Sequence, residues 1–457
     1  MAKIEVDLDL VRKYNVAGPR YTSYPPAPRF TAEIGWAELT DYVRRNNATE
    51  RDISLYYHLP FCRSLCWFCG CTTVITKKQE ASGTYLDYLE KEMGIMQPLL
   101  NPRRKVTQMH FGGGTPTFLL PDEIRRLGES IHGRFQFAEN YEAGVEIDPR
   151  GVIRDHLAAL REAGFNRASI GVQDHNPEVQ KAVHRIQPRE MSEAVVDWIR
   201  EAGFHSLNMD LIYGLPHQTA QSFEKTLCDI IALKPDRLAV FSYAHVPWLK
   251  HAQSVLESRN LPTAEVKMEL LKLTIEKLTS EGYVYIGMDH FSRENDELAV
   301  AQKQKTLQRN FQGYSTHGGA DIYAFGMSSI SQTDTVYWQN LKELPQYYQA
   351  LDQGRSPQIK GYVLTRDDQI RRQTIMRLMC HLSLDLAKLS ADFDIDAPQY
   401  FEKELASLAD LVADGLVRRT DRTVEITDLG RLLIRNISMR FDAYLPRENE
   451  RRFSKTI

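Results

Sequence analysis

The sequence of 457 residues has no apolar run approaching the ~18 residues that a membrane-spanning helix needs. Its opening, Met1-Ala2-Lys3-Ile4-Glu5-Val6-Asp7, mixes charge with apolar residues and lacks the hydrophobic stretch of a signal peptide. No internal repeat and no low-complexity segment is visible. Neither sign of charge dominates: 57 Lys and Arg face 60 Asp and Glu, for a net charge of −3, so no global field recruits nucleic acid or anionic lipid. Cysteine is scarce, at six residues, and without a secretory leader a disulfide framework is not expected. These absences point to the cytoplasm. The remaining composition, 42% hydrophobic and 26% charged, is that of a soluble globular chain long enough for two or three domains.

The few cysteines are concentrated. Cys62, Cys66, Cys69 and Cys71 fall within ten residues, whereas Cys228 and Cys380 stand alone. A C-x3-C-x2-C spacing places three thiolates on one short loop, where each can reach a different iron of a cubane. A [4Fe–4S] cluster normally takes four thiolates. Three leave one iron open, and an open position separates a catalytic metal centre from a closed structural one. Zinc would call for a second pair of Cys or His ligands elsewhere, and none is visible.

Between residues 52 and 250, β-rich runs alternate with helical patterns. The runs are Ile53–Leu59, Val106–Phe111, Gly144–Ile147, Arg167–Val172, Ser206–Tyr213 and Arg237–Tyr243. Such alternation predicts a parallel sheet with both faces covered, and six units fit an open, partial (β/α)6 barrel of the α/β class. Polar residues gather at the ends of the runs: Tyr56 and His58, then Gly112–Pro116, Glu146 and Asp148, Gln173 and Asp174, Asp210, and finally Tyr243 and His245. The carboxyl ends of the strands are where α/β barrels carry their active sites. Ahead of this core, Gly18–Pro26 reads as an extended arm, and its Tyr and Arg suggest an arm laid over something flat and anionic. Residues 262–282 read as a helix, 283–286 as a strand and 305–330 as loop. Beyond about 360 the pattern is helical and ends in a strand–turn–strand–helix order like a winged helix. The expected domains are an arm at 1–48, a catalytic domain at 49–350 and a helical, winged domain at 351–457 that covers the substrate site.

The cysteine triplet is the hallmark of radical S-adenosylmethionine (SAM) enzymes. The chain further resembles the oxygen-independent coproporphyrinogen III oxidases of haem biosynthesis, from about residue 10 onward. The resemblance is carried by Gly18–Pro25, Tyr56–Pro60, the cysteine loop, Gly112–Pro116, Glu146–Pro149, Gly171–Asp174, Asp210–Pro216, Gly287–Phe291 and Asn310–Tyr314. It implies that Cys62, Cys66 and Cys69 ligate the cluster and that Cys71 does not. It implies two SAM molecules, contacted by Tyr56, Phe68, Gly113, Gly114, Thr115, Glu146, Gln173, Arg185, Asp210, Ala244 and Ile330. Tyr56, His58 and Gln312 are implied in catalysis. The implied reaction removes CO2 and two electrons from each of two propionates of coproporphyrinogen III, giving the vinyls of protoporphyrinogen IX.

Local chemistry is compatible with those roles and with plainer ones. The glycines permit close backbone approach and a nest of N–H groups. Glu146 suits the SAM ammonium, Gln173 and Asp210 its ribose hydroxyls, and Arg185 a carboxylate. Trp67 and Phe68 stand beside the cluster cysteines, a position that suits adenine contact as well as plain loop packing. Asp and Arg at strand ends also commonly pair with each other. Haem chaperones and other radical SAM tetrapyrrole enzymes share the core, although the chaperones generally lack the arm and carry Phe at the position of Cys71. The winged segment leaves a nucleic-acid-binding reading, but ten Lys and Arg against six Asp and Glu from Gly415 to Ile457 make no clear basic stripe. The expected partners are coproporphyrinogen III and an electron donor such as flavodoxin or ferredoxin, with the chain a monomer and no nucleic acid or membrane bound. Arg20, Arg29, Arg293 and Arg309 are candidates to hold substrate carboxylates.

Overall fold

The structure, a computed structural model, describes residues 6–445. Residues 1–5 of the opening and 446–457 of the C-terminal stretch, both read above for their charge, lie outside the described residues. Two compact units emerge. One comprises residues 28–210 and 319–364; the other comprises 1–27, 211–318 and 365–457.

The unit of residues 28–210 and 319–364 is built on a parallel sheet. Ile53–Leu59 pairs in parallel with Val106–Gly113, that strand with Phe137–Ile147, and that one with Arg167–Gln173. Successive side chains of a strand point to opposite faces. Leu55, Tyr57 and Leu59 therefore join Phe111 and Phe325 in the core, with the Tyr57 ring 5.1 Å from Phe325 and 5.4 Å from Phe111. Ser54, Tyr56 and His58 alternate with them and meet polar neighbours. The Ser54 hydroxyl donates to Gln108 at 3.0 Å, and Gln108 donates to Glu142 at 2.9 Å. Gly144 sits opposite His110, and a Cβ there would come within 2.9 Å of the imidazole. One face of the strands is thus apolar core and the other is a polar lining.

Residues 305–330, expected to be loop, contain three short strands and the start of a fourth. Gln308–Asn310 and Gly313–Ser315 form a hairpin in the other unit, and Asp321–Phe325 pairs in parallel with Ile53–Leu59. Short segments punctuated by glycine carry too few residues to show a period. The charge of Asp321 also hides a fully buried strand. That charge is met by Arg104, and both side chains are at most 1% exposed. Asn46 donates to the same carboxylate. Beyond Asp321–Phe325, three antiparallel pairings extend the sheet through Ile330–Gln332, Val336–Asn340 and Gln358–Val363. The sheet does not close, so the fold is the open α/β barrel expected, with a mostly helical C-terminal region.

In the other unit, Arg237–Ser242, His290–Arg293 and Tyr283–Gly287 pair antiparallel, flanked by the helix Ala264–Ser280. The C-terminal strands Ser383–Asp385, Thr423–Ile426 and Val417–Arg419 form the small winged sheet. The Gly18–Pro26 arm is not laid over a ligand through its tyrosines. Tyr21 and Tyr24 are 1% and 0% exposed. The Tyr21 hydroxyl donates to Asp442 at 2.8 Å, and Tyr24 accepts from the Ala443 N–H at 2.9 Å. Arg435 holds the carbonyls of Gly18 and Pro19. Residues 416 to 421 positions apart in sequence make these contacts, so no local pattern announced them. No helix among the described residues is long and apolar enough to cross a membrane.

The Arg104–Asp321 pair yields a stability prediction. Arg104→Met should leave the Asp321 carboxylate buried without its cation and cost about 3–5 kcal/mol, lowering the thermal midpoint of the purified protein. Adding Asp321→Leu should recover much of that loss. If the single variant melted like the parent, the pair would not support the strand.

Candidate active site

The cysteine loop leaves the first strand at Pro60. It is anchored by a short parallel pairing of Phe61–Cys62 with Val74–Ile75. The Trp67 N–H donates to the Val183 carbonyl at 3.0 Å, and its ring stacks on His184 at 5.1 Å. Cys66 is buried, Cys62 and Cys69 are partly exposed and Cys71 is exposed. The Cys66 sulfur faces two guanidiniums, Arg150 at 3.3 Å and Arg185 at 3.6 Å, and the Cys62 sulfur contacts the Thr115 hydroxyl at 3.3 Å. Burial pushes the free Cys62 thiol up to about 11. Among the described residues, no three His, Cys, Asp or Glu side chains converge on one point as the ligands of a single metal ion would. A cubane asks for something else: three thiolates spread over three irons, with positive charge nearby. The loop and its two guanidiniums offer this donor set.

Asp148 anchors those cations. It accepts from Arg150 at 2.6 Å and from Arg185 at 3.3 Å. Burial pushes its carboxyl up, but the Arg185 and Arg150 charges prevail and hold it at about 2. Arg185 also donates to the Gly171 carbonyl at 2.6 Å and to Gln187 at 3.1 Å. Of the two uses open to Arg185, the structure shows the pairing with Asp148.

Above the first three strands, Tyr56, His58, His110 and Glu146 form one network. The Tyr56 and His110 rings stack with centroids 6.0 Å apart. His58 Nε2 lies 2.9 Å from the Thr72 carbonyl, which only accepts, so Nε2 carries the proton. His58 Nδ1 then accepts from the Tyr56 hydroxyl at 3.2 Å. Burial lowers the basicity of His58 and keeps the Tyr56 phenol protonated. Burial acts to raise Glu146. His110 at 3.4 Å and the Gly113 N–H at 3.2 Å more than offset this, leaving the carboxyl below its ordinary value. Glu146 is therefore an anion with solvent access, as a partner for an ammonium must be.

The glycine run does not form the expected nest. The Gly113 N–H is taken by Glu146, that of Gly114 by the Leu59 carbonyl, and that of Thr115 by the Phe61 carbonyl. Glycine is needed there for space instead. A Cβ on Gly113, at φ +115°, would lie 2.7 Å from the His58 ring, and one on Gly114 would lie 2.4 Å from the Pro60 oxygen.

Asp210 accepts from Asn208 at 2.7 Å and Ser169 at 3.2 Å. Burial and the nearby Glu146 charge push its carboxyl up to about 7. Gln173 ends its strand at φ +70°. Tyr56, His58, the cysteines, Gly113, Gly114, Thr115, Glu146, Gln173, Arg185 and Asp210 all belong to one unit, on its strands or on the loops beside them; Phe68 lies in the cysteine loop, and Ile330 opens the strand Ile330–Gln332. Ala244 and Gln312 belong to the other unit. Ala244 lines a cavity of about 300 Å³ there, and Gln312 tips the 308–315 hairpin with its side-chain nitrogen unpartnered. Sequence reasoning missed His110, Arg150, Ser169 and Asn208. His110, Ser169 and Asn208 sit on strands that were recognised but meet partners on neighbouring strands, while Arg150 follows such a strand and meets Asp148 and the cysteine loop.

Residues 56–230 match the model of the radical SAM superfamily, and 364–433 match that of the HemN C-terminal domain. The chain is therefore a radical SAM enzyme, which holds a [4Fe–4S] cluster and SAM. An oxygen-independent coproporphyrinogen III oxidase from Escherichia coli is 47% identical over 100% of this chain and 99% of its own. One from Synechocystis is 46% identical over 99% of this chain and 98% of its own. The solved structure of the Escherichia coli coproporphyrinogen III oxidase superposes with a TM-score of 0.92 at 45% identity, covering 97% of this chain and 100% of that one. The chain belongs to the oxygen-independent coproporphyrinogen III oxidase family.

The raised Asp210 carboxyl gives a pH prediction. Its folded value of about 7 lies well above the ordinary range of an aspartate carboxyl, so the folded state holds the proton more tightly. That contribution to stability is complete below about 4 and is lost as pH rises toward 7. Asp210→Asn should remove the loss. Its thermal midpoint relative to the parent should climb between pH 4 and 7.5 in the ligand-free protein. A difference independent of pH would mean that Asp210 titrates normally.

Proposed function

We propose that the chain oxidatively decarboxylates two propionates of coproporphyrinogen III to the vinyls of protoporphyrinogen IX without oxygen. The observation that carries this reading is the 42–47% identity across 99–100% of the chain to seven coproporphyrinogen III oxidases. Each propionate loses its carboxyl carbon as CO2, together with one proton and two electrons.

Cys62, Cys66 and Cys69 are assigned to the cluster, with Arg150 and Arg185 offsetting thiolate charge at Cys66. When bound, the cluster and SAM supply one-electron cleavage of the sulfonium and hence a radical able to take hydrogen from an unactivated carbon. Glu146 meets the SAM ammonium as an anion held by His110 and Gly113. Gly113, Gly114 and Thr115 let the cofactor approach the backbone. Gln173 and Asp210 offer acceptors for hydroxyls, and Phe68, Ala244 and Ile330 offer apolar contact. Arg185 contributes through the electrostatics of Asp148 and Cys66. Tyr56 keeps its proton and, with His58, fixes the polar wall where the reacting group lies. Gln312 presents an amide N–H toward substrate. We assign the protein to the cytoplasm, acting as a monomer with a flavodoxin- or ferredoxin-like electron donor, without nucleic acid or membrane.

Two measurements test the reading. Replacing each cysteine by serine and reconstituting anaerobically should abolish iron, sulfide and visible absorption for Cys62, Cys66 and Cys69, while Cys71→Ser keeps the cluster. A cluster retained in Cys66→Ser and lost in Cys71→Ser would reverse the ligand assignment. Anaerobic turnover with coproporphyrinogen III, SAM, reductant and an electron acceptor should give protoporphyrinogen IX, with about one 5′-deoxyadenosine per CO2. Tight haem binding with no CO2 would make the protein a haem chaperone instead.

A further inference from the structure

Arg309 is a buried cation whose side chain is incompletely satisfied. It lies on the strand Gln308–Asn310 and is 7% exposed. The ring of Tyr314, its cross-strand neighbour, covers one face of the guanidinium at 4.8 Å. Guanidinium donors lie in the plane of the group, so a ring on its face satisfies none of them. Arg309 Nε and Nη1 are buried without a hydrogen-bond partner. Two neighbouring groups share that state: Gln312 Nε2, on the same hairpin, and His290 Nδ1, whose ring meets the edge of Tyr314 at 5.2 Å.

The surroundings do not supply the missing anion. Asp289 is already held by Arg20 at 3.0 Å. Arg435 stands in the same region, bound to the Gly18 and Pro19 carbonyls. Burial, then the charges of Arg20 and Arg309, lower it to about 10. Burial and Arg309 likewise push His290 down to about 3, so its ring is neutral. Buried guanidiniums are ordinarily paired, because an unpaired charge in a low-dielectric interior is costly. Here cations crowd together, and polar nitrogens of three side chains have no hydrogen-bond partner among the described residues.

We propose that Arg309, with Gln312 and His290 beside it, forms the subsite for a propionate carboxylate of the tetrapyrrole substrate. The proposal rests on the function proposed above and adds which residues grip the substrate. The chemistry favours a propionate that the reaction retains. A carboxylate locked to a guanidinium is stabilised as an anion, and this opposes its loss as neutral CO2. The same grip on a retained side chain fixes the macrocycle without impeding the chemistry.

The experiment titrates reconstituted holoenzyme with coproporphyrin III, the oxidised fluorescent tetracarboxylate, and with its uncharged tetramethyl ester. Arg309→Met keeps the aliphatic packing and removes the charge. It should weaken coproporphyrin III binding about 10- to 100-fold, leave ester binding unchanged, and be partly rescued by Arg309→Lys. Without porphyrin, the Met variant should melt at or above the parent temperature, since an unpaired buried charge has been removed. Equal weakening for acid and ester, unchanged affinity for the acid, or a Met variant that melts lower or fails to fold would each make Arg309 structural and overturn the proposal. If the parent enzyme neither binds coproporphyrin III nor forms product, the proposed function itself fails. If the parent does both and Arg309→Met binds normally, only the subsite is lost.

Discussion

The carboxylate of Asp148 holds Arg150 and Arg185 against the sulfur of Cys66, and much of the site's local order depends on that contact. Three thiolates on one loop concentrate negative charge where water is partly excluded. Two guanidiniums offset it, but two adjacent cations would repel each other without an anion between them. Asp148 is that anion, and the two arginines in turn keep it ionised. The order spreads from there. Arg185 ties down Gly171 and Gln187, and Gln180 bridges to the Gln187 backbone on the same loop. The adjoining Val183 carbonyl anchors the cysteine loop through Trp67. A side chain on Gly171 would intrude on this arrangement, coming within 2.8 Å of Gln173 and 3.2 Å of Arg185.

The second constraint is the period of the strands. Because alternate residues face opposite ways, Ile53–Leu59 can place Leu55, Tyr57 and Leu59 in a dense aromatic core and Tyr56 and His58 in the site. Glycine appears where two polar side chains on neighbouring strands need the same space. Gly144 admits His110, and Gly113 admits His58. The hydrogen-bond directions then follow from a single carbonyl. Thr72 fixes the His58 tautomer, and that makes the Tyr56 hydroxyl a donor.

The unit of residues 1–27, 211–318 and 365–457 manages charge differently. Buried Arg435 holds backbone carbonyls of the arm, and buried Arg309 stands over the Tyr314 ring. Carbonyls and ring faces soften the cost of burying a cation without neutralising it.

Much of this was legible in the residue order, because the relevant physics is local. The spacing of Cys62, Cys66 and Cys69 settles which thiols share a loop. Continuous apolar runs settle the parallel strands, and a strand's last residues settle what reaches its carboxyl end. Membership of the family was equally legible, since its motifs are short and contiguous. What the order of residues left open depends on pairs that meet only after folding. Asp321 reads as a loop residue until Arg104, 217 positions away, neutralises it inside a strand. Tyr21 and Tyr24 read as a ligand-facing arm until Asp442 and Ala443 bury them. Arg185 reads as a ligand fork until Asp148 takes it. A charged or aromatic side chain has the same identity in core, interface or site, and only the partner brought to it by the tertiary structure decides which of these it occupies.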